Sequence, residues 1–268
     1  MYHIYSVLKK GSQSTQVTQL QRSLPTWASN EPLAADGIFG SKTEKAVEAF
    51  QSAMELTADG VVGKATASVL GLWTEIEEGF DASHWQEILW DEFEKGDLSF
   101  AIFKASQGAT YKDPQFSKNV EQAARCGLDV GAYHFCSFQA SPLAEAENFL
   151  ESISGKPIDS VFLDLEADAP SDSFDFEEWI SLWLAIVSAS MPPRIEVGIY
   201  TSSRYLREKN LQAFTHLSKY ALWGVNWSRQ PMVVPWSQWS YWQYTSKGSM
   251  PWILGDVDLN RRVKKRLV

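Results

Sequence analysis

The stretch VFLDLEAD, Val161–Asp168, decides the fold of the larger part of the chain. Its β-branched, aromatic and aliphatic residues predict a short buried strand. Side chains alternate between the two faces of a strand, so Asp164 and Glu166 share one face with Phe162. Two acids about 6.5–7 Å apart on one face of a buried strand indicate that this strand has a chemical role as well as a packing role.

Runs of similar character alternate with helix-like segments on both sides of this stretch. Helix starts are indicated by Asp113-Pro114, by Ser141-Pro142 and by the capping-box spacing of Asp175 and Glu178. This alternation favours an α/β fold, and the short connections late in the chain predict an irregular β/α (TIM-like) barrel. The candidate strands are residues 79–82, 100–105, 130–135, 161–166, 195–201, 221–225, 240–244 and 256–259.

Acidic residues stand at or near the ends of several candidate strands. Reactive groups of parallel β/α barrels gather at the C-terminal ends of the strands. Asp81, Asp164, Glu166 and Asp258 are therefore expected to form one cluster of four carboxylates. Crowded carboxylates repel, so one of them should keep its proton to a higher pH while others stay ionised. A protonated acid beside an anion is what glycoside hydrolysis requires.

From the spacing of the acids alone, two other interpretations stay open. One is a metal site, and the other is a hydrogen-bonded structural network that includes Lys104 or Arg194. The chain has four histidines and none in HxxH spacing, so we expect no zinc, no other metal and no cofactor.

Other polar and aromatic side chains near the strand ends are candidates for binding a substrate. Half of the twelve tryptophans lie in residues 223–252, and sugars present apolar faces that suit aromatic rings, although ordinary core packing is the alternative for each ring. His134 is expected to form a hydrogen-bonding wall of a groove. The candidate binding residues are Lys104, Gln107, Tyr133, His134, Tyr200, Trp242 and Tyr244.

The first 72 residues have a different pattern. DGIFG (36–40) and DGVVG (59–63) are two similar turns, and each precedes a helix-like segment. Val17, Leu20 and Leu24 form one apolar stripe, and Ala46, Val47 and Phe50 would share a helix face. We expect a small three-helix all-α domain over residues 1–72, an acidic linker over 73–78 and the α/β domain over 79–268.

Composition limits the possible partners and compartments. The net charge of −9 argues against nucleic acid, and no apolar run is long enough to predict a transmembrane segment. The N-terminus lacks the pattern of a secretory signal. Cys126 and Cys136 flank a predicted strand that would hold them about 30 Å apart, so we expect free thiols.

The larger domain resembles the lysozymes of glycoside hydrolase family 25. GFDASHWQ, FAIFKASQG, GLDVGAYHF, VFLDLE, VGIYT and YWQYTSKG occur in the order found in that family. The resemblance implies an irregular β/α barrel that hydrolyses the β-1,4 bond between N-acetylmuramic acid and N-acetylglucosamine. By position, Glu166 matches the general acid, Asp164 matches the group that stabilises charge or orients the substrate's acetamido group, and Asp81 and Asp258 match the supporting acids. Gln107 departs from the family, which usually has Glu there.

Residues 1–72 resemble a peptidoglycan-binding domain of the three-helix type, through GSQSTQVTQLQRSL, LAADGIFGSKTEKAVEAFQ and LTADGVVGKAT. Together the resemblances predict a monomeric lysozyme whose partners are the glycan strand and stem peptide of bacterial peptidoglycan. We expect a phage endolysin, made in the host cytoplasm without a signal peptide and released by a separate system. A non-catalytic wall-binding or virion structural protein and a wall amidase are the alternatives.

Overall fold

The computed structural model describes residues 4–29, 32–168, 174–228, 231, 234–236 and 238–264. The chain divides into two compact units, one of Met1–Ile76 with Lys264–Val268 and one of Glu77–Val263. Each unit has a hydrophobic core of its own. No helix among the described residues is long and apolar enough to cross a membrane.

The first unit contains three α-helices, α1 (Thr15–Ser23), α2 (Ser41–Ala53) and α3 (Lys64–Val69). Ser14 caps α1 by accepting a hydrogen bond from the backbone N–H of Val17. The predicted three-helix architecture is confirmed, because both apolar stripes are buried in one core. That core includes Val17, Leu20, Leu24, Phe39, Ala46, Val47, Phe50 and Val62.

A buried glutamine holds each of the two Asp-Gly turns of this unit. Gln21 Nε2 donates to Asp36 Oδ1 at 2.9 Å, and Gln21 Oε1 accepts from the backbone N–H of Gly37 at 3.0 Å. Gln51 makes the same two bonds to Asp59 and Gly60, both at 2.9 Å. Gly37 and Gly60 have φ of 78° and 68°, which a residue with a Cβ rarely adopts. The repeat seen in the sequence is therefore a repeated turn locked to the helix before it.

The second unit is an α/β structure, and Ser141 and Asp175 cap two of its helices as predicted. Asp113 does not cap the first of these helices, which starts after Gln115. The strands are β1 (Ile76–Ala82), β2 (Glu87–Ile88), β3 (Leu98–Gln107), β4 (Tyr111–Lys112), β5 (Asp129–Phe135), β6 (Ser160–Leu165), β7 (Glu196–Ser202), β8 (Ala221–Val225), β9 (Tyr241–Gly248), β10 (Ile253–Leu254) and β11 (Val257–Val263), and the helices are α4 (Phe116–Arg125), α5 (Pro142–Ile153), α6 (Phe176–Ser190) and α7 (Ser203–Glu208).

Eight of these strands close a barrel in the order β1, β3, β5, β6, β7, β8, β9, β11 and back to β1. The pairs from β1 through β9 are parallel, and β11 is antiparallel to β9. The predicted irregular barrel is confirmed, and each of the eight candidate strands overlaps one barrel strand. The residues between β9 and β11 contain no crossover helix, so a reversed strand is the arrangement that they permit.

This reversal corrects one expectation about the last strand. Asp258 was expected near the end of a strand running in the common direction, over residues 256–259. It lies instead at the beginning of β11, which runs the opposite way. The start of a reversed strand and the ends of the parallel strands meet at the same rim, so Asp258 still faces the rim that the other acids reach.

The barrel interior below this rim is filled mainly by aromatic rings. Phe162 lies 5.2 Å from Trp223 and 5.0 Å from Tyr241 between ring centroids. A Cβ at Gly198 would lie 2.6 Å from Phe162, so only glycine leaves room for that ring. The interior is therefore a packed core, and polar chemistry is confined to the rim. Its buried members are Phe100, Ile102, Phe162, Tyr200, Trp223, Val225 and Tyr241.

Candidate active site

The four predicted acids meet at the rim formed by β1, β6 and β11. Asp81 is in β1, Asp164 is in β6, Glu166 follows β6 directly and Asp258 is in β11. Their charges act on one another: Asp258 and Glu166 affect Asp81, and Glu166 affects Asp164. Within the part of the chain that the structure describes, none of the four carboxylates forms an ion pair with a lysine or arginine.

Asp81 is buried and held by two amide groups. Its Oδ2 accepts hydrogen bonds from Asn260 Nδ2 at 2.7 Å and from Gln243 Nε2 at 3.0 Å. Burial raises the pKa of Asp81 well above its usual value, and the charge of Asp258 raises it further. The two amide bonds lower that pKa and only partly oppose these effects. Asp81 is thus fixed in place by neutral donors that leave its charge uncompensated.

Asp164 is equally buried, and its Oδ1 has no hydrogen-bond partner among the described residues. Burial and the charge of Glu166 raise the pKa of Asp164 well above its usual value, while Lys104 acts in the opposite direction. A buried carboxylate oxygen without a partner is costly, so it indicates a place for a donor from a bound molecule.

Glu166 and Asp258 complete the cluster from a more open position. The Glu166 residue as a whole is exposed to solvent. The protein around its carboxyl group nevertheless raises its pKa, mainly through burial and to a smaller extent through the charge of Asp258. Burial raises the pKa of Asp258 to about 6. The cluster therefore holds a proton at a pH where isolated carboxyl groups are ionised.

Lys104 is the cation whose charge acts on Asp164, and it is bound to a neutral partner. Its Nζ donates to Gln107 Oε1 at 2.7 Å and lies 5.0 Å from the centroid of the Phe135 ring. Burial lowers the pKa of Lys104, and the charges of Asp164 and Asp113 oppose that effect. The predicted residues Lys104 and Gln107 are thus placed together beside the acids.

Tyr133 and Tyr200 both lie on the interior face near the acids. Burial raises the pKa of each hydroxyl well above its usual value, and the neighbouring carboxylates raise it further. The hydroxyl group of Tyr200 donates to Gln243 Oε1 at 3.1 Å. Tyr200 therefore supports the amide that holds Asp81, while Tyr133 stays half-buried at the rim.

His134 does not lie with these residues, so its expected place in a groove wall is not supported. It is fully buried on the opposite face of β5, between the barrel and the helices. Its Nδ1 lies 2.8 Å from Ser106 Oγ, its Nε2 lies 3.0 Å from Glu145 Oε2, and its ring stacks on Trp183. The alternation of side chains along β5 puts His134 outside because Tyr133 points inside.

Trp242 and Tyr244 are also on the outer face, which argues against their predicted role in lining the groove. Gln243, between them in β9, reaches Asp81 inside the barrel, so its two neighbours point outward. Trp242 Nε1 donates to a backbone carbonyl oxygen at 2.9 Å, and Arg261 covers both rings at 5.7 and 4.6 Å. These rings pack against the outside of the barrel.

Sequence reasoning missed Gln243 and Asn260, and it named Trp227 only as one of the six tryptophans of residues 223–252. Asn260 Oδ1 accepts from Trp223 Nε1 at 2.8 Å, so the amide that holds Asp81 is itself oriented. Trp227 is 63% exposed, and its Nε1 lies 3.4 Å from Gln243 Oε1. The alternation of side chains along a strand could have placed both amides in the barrel interior. Gln243 is two positions from Tyr241 and Asn260 is two positions from Asp258, so each shares a strand face with that residue.

Among the described residues, no three His, Cys, Asp or Glu side chains are arranged to hold a metal ion. Cys126 and Cys136 are free thiols, as predicted.

Comparison with known proteins assigns each part of the chain to a family model. The model described as glycosyl hydrolases family 25 matches residues 80–253, and the model described as a putative peptidoglycan binding domain matches residues 13–70. Lysozyme M1 of Streptomyces globisporus is 31% identical over 197 residues, which are 69% of this chain and 67% of that protein.

Two solved structures show the same barrel. The bacterial lysozyme from Streptomyces coelicolor is 28% identical, with a TM-score of 0.57, over 69% of this chain and 90% of the other. The CTP1L endolysin is 26% identical, with a TM-score of 0.57, over 69% of this chain and 65% of the other. The similarity covers the barrel unit in both sequence and structure.

Proposed function

The chain belongs to the glycosyl hydrolases of family 25, and from this membership we propose how its acids act. The enzyme is a lysozyme that hydrolyses the β-1,4 bond between N-acetylmuramic acid and N-acetylglucosamine in peptidoglycan. Glu166 gives its proton to the glycosidic oxygen as the bond breaks. Asp164 stabilises the positive charge that develops on the sugar ring, and its unpartnered Oδ1 accepts a hydrogen bond from the substrate's acetamido N–H.

The observation that supports this proposal is a group of four carboxylates, none of which forms an ion pair with a lysine or arginine among the described residues. Repulsion within the group favours retention of one proton, and the open position of Glu166 makes it the group that a glycosidic oxygen can reach. The negative charge of Asp258 raises the pKa of Glu166 further and so helps to keep this proton in place.

Glu166→Gln tests the assignment. We expect the release of reducing sugar ends to fall by on the order of 10²-fold or more, because the amide cannot give up a proton. Wall binding should be retained. Glu147→Gln, at an exposed position in α5, is the matched control and should keep full activity. Normal release of reducing ends by Glu166→Gln would overturn the role of Glu166.

The alternatives from other classes give different products. An amidase would release free amino groups instead of reducing ends, and a zinc-dependent one would stop on chelation. A non-catalytic binding protein would release neither. Mass spectrometry of digested wall fragments identifies the bond that is broken, and we expect fragments that end in N-acetylmuramic acid.

For the first unit we propose a tethering role. Residues 1–72 would form a domain that binds the stem peptide of peptidoglycan, followed by a linker over residues 73–78, whose last three residues already belong to β1, and the catalytic domain over 79–268. The match of residues 13–70 to a peptidoglycan binding domain supports wall binding. Tethering raises the local concentration of the barrel at its substrate.

The biological setting that we propose is host lysis by a phage. The enzyme would be made in the host cytoplasm, released by a separate system and active as a monomer. The similarity to the CTP1L endolysin supports this role. Purified protein should lyse bacteria whose membranes have been permeabilised, and light scattering should give a mass near 30.2 kDa. Failure to lyse such cells would contradict the endolysin role.

A further inference from the structure

Trp85 is the most exposed large apolar side chain in the part of the chain that the structure describes. Its exposed fraction is 80%, and its indole N–H has no hydrogen-bond partner among the described residues. Tryptophan is usually well buried, because its large apolar surface is costly to leave in water. The reaction proposed above does not use this side chain. An exposed tryptophan of this kind indicates a surface that another molecule covers.

The ring of Trp85 contacts the side chain of the preceding residue. It packs against the His84 ring with 4.5 Å between centroids. Asp113 Oδ2 accepts from the backbone N–H of His84 at 3.0 Å and lies 2.9 Å from His84 Nδ1. The hydroxyl group of Tyr111 is 3.1 Å from the same nitrogen. Trp85, His84 and Tyr111 thus form a row of tilted ring contacts, called here the aromatic platform, and its central ring is bound to the buried Asp113 carboxyl group.

The aromatic platform continues the rim that carries the acids. Trp85 is in the turn directly after β1, four positions from Asp81. Tyr111 is in β4, which pairs with the end of β3. The Nζ of Lys104, whose charge acts on the pKa of Asp164, is 5.6 Å from the Tyr111 ring centroid. Lys104, Tyr111 and His84 therefore connect the surroundings of the acid cluster to Trp85.

We propose that Trp85 stacks against a pyranose ring of the glycan strand, beyond the two sugars that flank the cleaved bond. The apolar face of the sugar would lie on the indole, and the free indole N–H would donate to a sugar oxygen or to an acetamido carbonyl group. This proposal rests on the hydrolysis proposed above and extends it to a distal subsite. It makes Trp85 a residue that selects long glycan strands over short fragments.

The test uses the full chain and soluble glycan strands of defined length, free of peptide cross-links. For Trp85→Ala we expect the ratio of kcat/KM for long strands to kcat/KM for short strands to fall by about tenfold, through KM. Trp85→Phe keeps an aromatic face and should recover most of the ratio. Leu182→Ala, at an exposed position on α6, is the control and should leave the ratio unchanged.

Direct binding gives a second measurement. In a Glu166→Gln background, a long strand should quench tryptophan fluorescence, and Trp85→Phe should remove a large part of that quenching. The proposed role of Trp85 would be overturned if the ratio of kcat/KM for long strands to kcat/KM for short strands were unchanged in a folded Trp85→Ala protein. It would also be overturned if Trp85→Phe did not alter the fluorescence quenching. Neither result bears on hydrolysis, since that proposal fails only if Glu166→Gln keeps normal activity.

Discussion

At the scale of single residues, the chemistry depends on carboxyl groups that are fixed without being neutralised. Within the described residues, Asp81 receives two amide N–H groups and no cation, and Asp164 keeps one oxygen without a partner. Neutral donors orient a carboxylate while leaving its field to act on neighbouring groups. An arginine in place of these amide donors would orient Asp81 equally well. Its positive charge would, however, lower the pKa of Glu166, which must hold a proton.

Asp258→Asn should stabilise the protein at neutral pH. The pKa of Asp258 is about 6 in the folded chain and 3.8 in the unfolded chain, so the folded state binds the proton more tightly. The ionised group therefore costs stability above pH 6, and this cost disappears below pH 4. We expect a gain of at most about 3 kcal/mol in the free energy of unfolding, since one pKa unit corresponds to about 1.4 kcal/mol.

Urea unfolding at pH 7.5 and at pH 3.5 checks this prediction. The gain should be present at the higher pH and absent at the lower one. An equal gain at both values would mean that the carboxyl group is not destabilised by ionisation. Glu147→Gln serves as the control for the loss of one negative charge, and it should change stability little at either pH.

Some residues of the candidate site could be predicted from the sequence and others could not. The shared face of Asp164 and Glu166 follows from the period of a strand, so the local pattern was sufficient. Gln243 and Asn260 lie far from Asp81 along the chain, and only barrel closure brings their amides to it. Trp242 and Tyr244 were predicted as sugar contacts from residue type, and the period of β9 places them outside.

At the scale of elements, β11 closes the barrel and carries a buried ion-pair group. Arg262 pairs with Glu77 of β1 at 2.6 Å and with Asp129 of β5 at 2.5 Å, and its guanidinium group lies 4.8 Å from the Phe100 ring centroid. Three strands therefore meet at one side chain, at the end of the barrel opposite the acids.

Arg262→Ala should lower the free energy of unfolding by about 3 kcal/mol, because it removes a largely buried guanidinium group that pairs with both Glu77 and Asp129. The neighbouring Arg261→Ala is the matched control. Its ion pair with Glu78 is more exposed, so a loss of about 1 kcal/mol is expected. Denaturant unfolding of both variants measures the difference, and equal losses would contradict the closing role of Arg262.

The glutamine-held turns of the first unit lead to a second prediction at this scale. Gln51→Ala removes the acceptor of the Gly60 N–H and the donor to the Val61 carbonyl group, and both are inside the unit. We expect a local loss of about 2 kcal/mol, since buried polar groups are left unpaired. Hydrogen exchange of residues 41–70 should rise, while exposed Ser52→Ala on the same helix should leave it unchanged.

At the scale of the whole molecule, the chain combines a catalytic barrel with a unit that matches a peptidoglycan binding domain. Removal of residues 1–72 should lower activity on insoluble walls by on the order of tenfold or more at low enzyme concentration. Activity on soluble glycan strands should stay unchanged. An equal loss on both substrates would show that the first unit serves the stability of the barrel and not its tethering.

The fold of the whole molecule was largely predictable because its patterns are local. Alternation of strand-like and helix-like segments identifies a β/α barrel, and the two DG turns identify a helical unit. The direction of β11 was not predictable from such a local pattern. It depends on the connection between β9 and β11, which contains no crossover helix and therefore permits the antiparallel pairing of the two strands.

The reversed strand β11 has a consequence for synthesis of the protein. Residues 257–263 bring Asp258 to the acids, Asn260 to Asp81 and Arg262 to the barrel seam. A nascent chain that still lacks them, or holds them inside the ribosomal exit tunnel, has neither a closed barrel nor a complete set of acids. A complete active site therefore forms only after translation has passed residue 263.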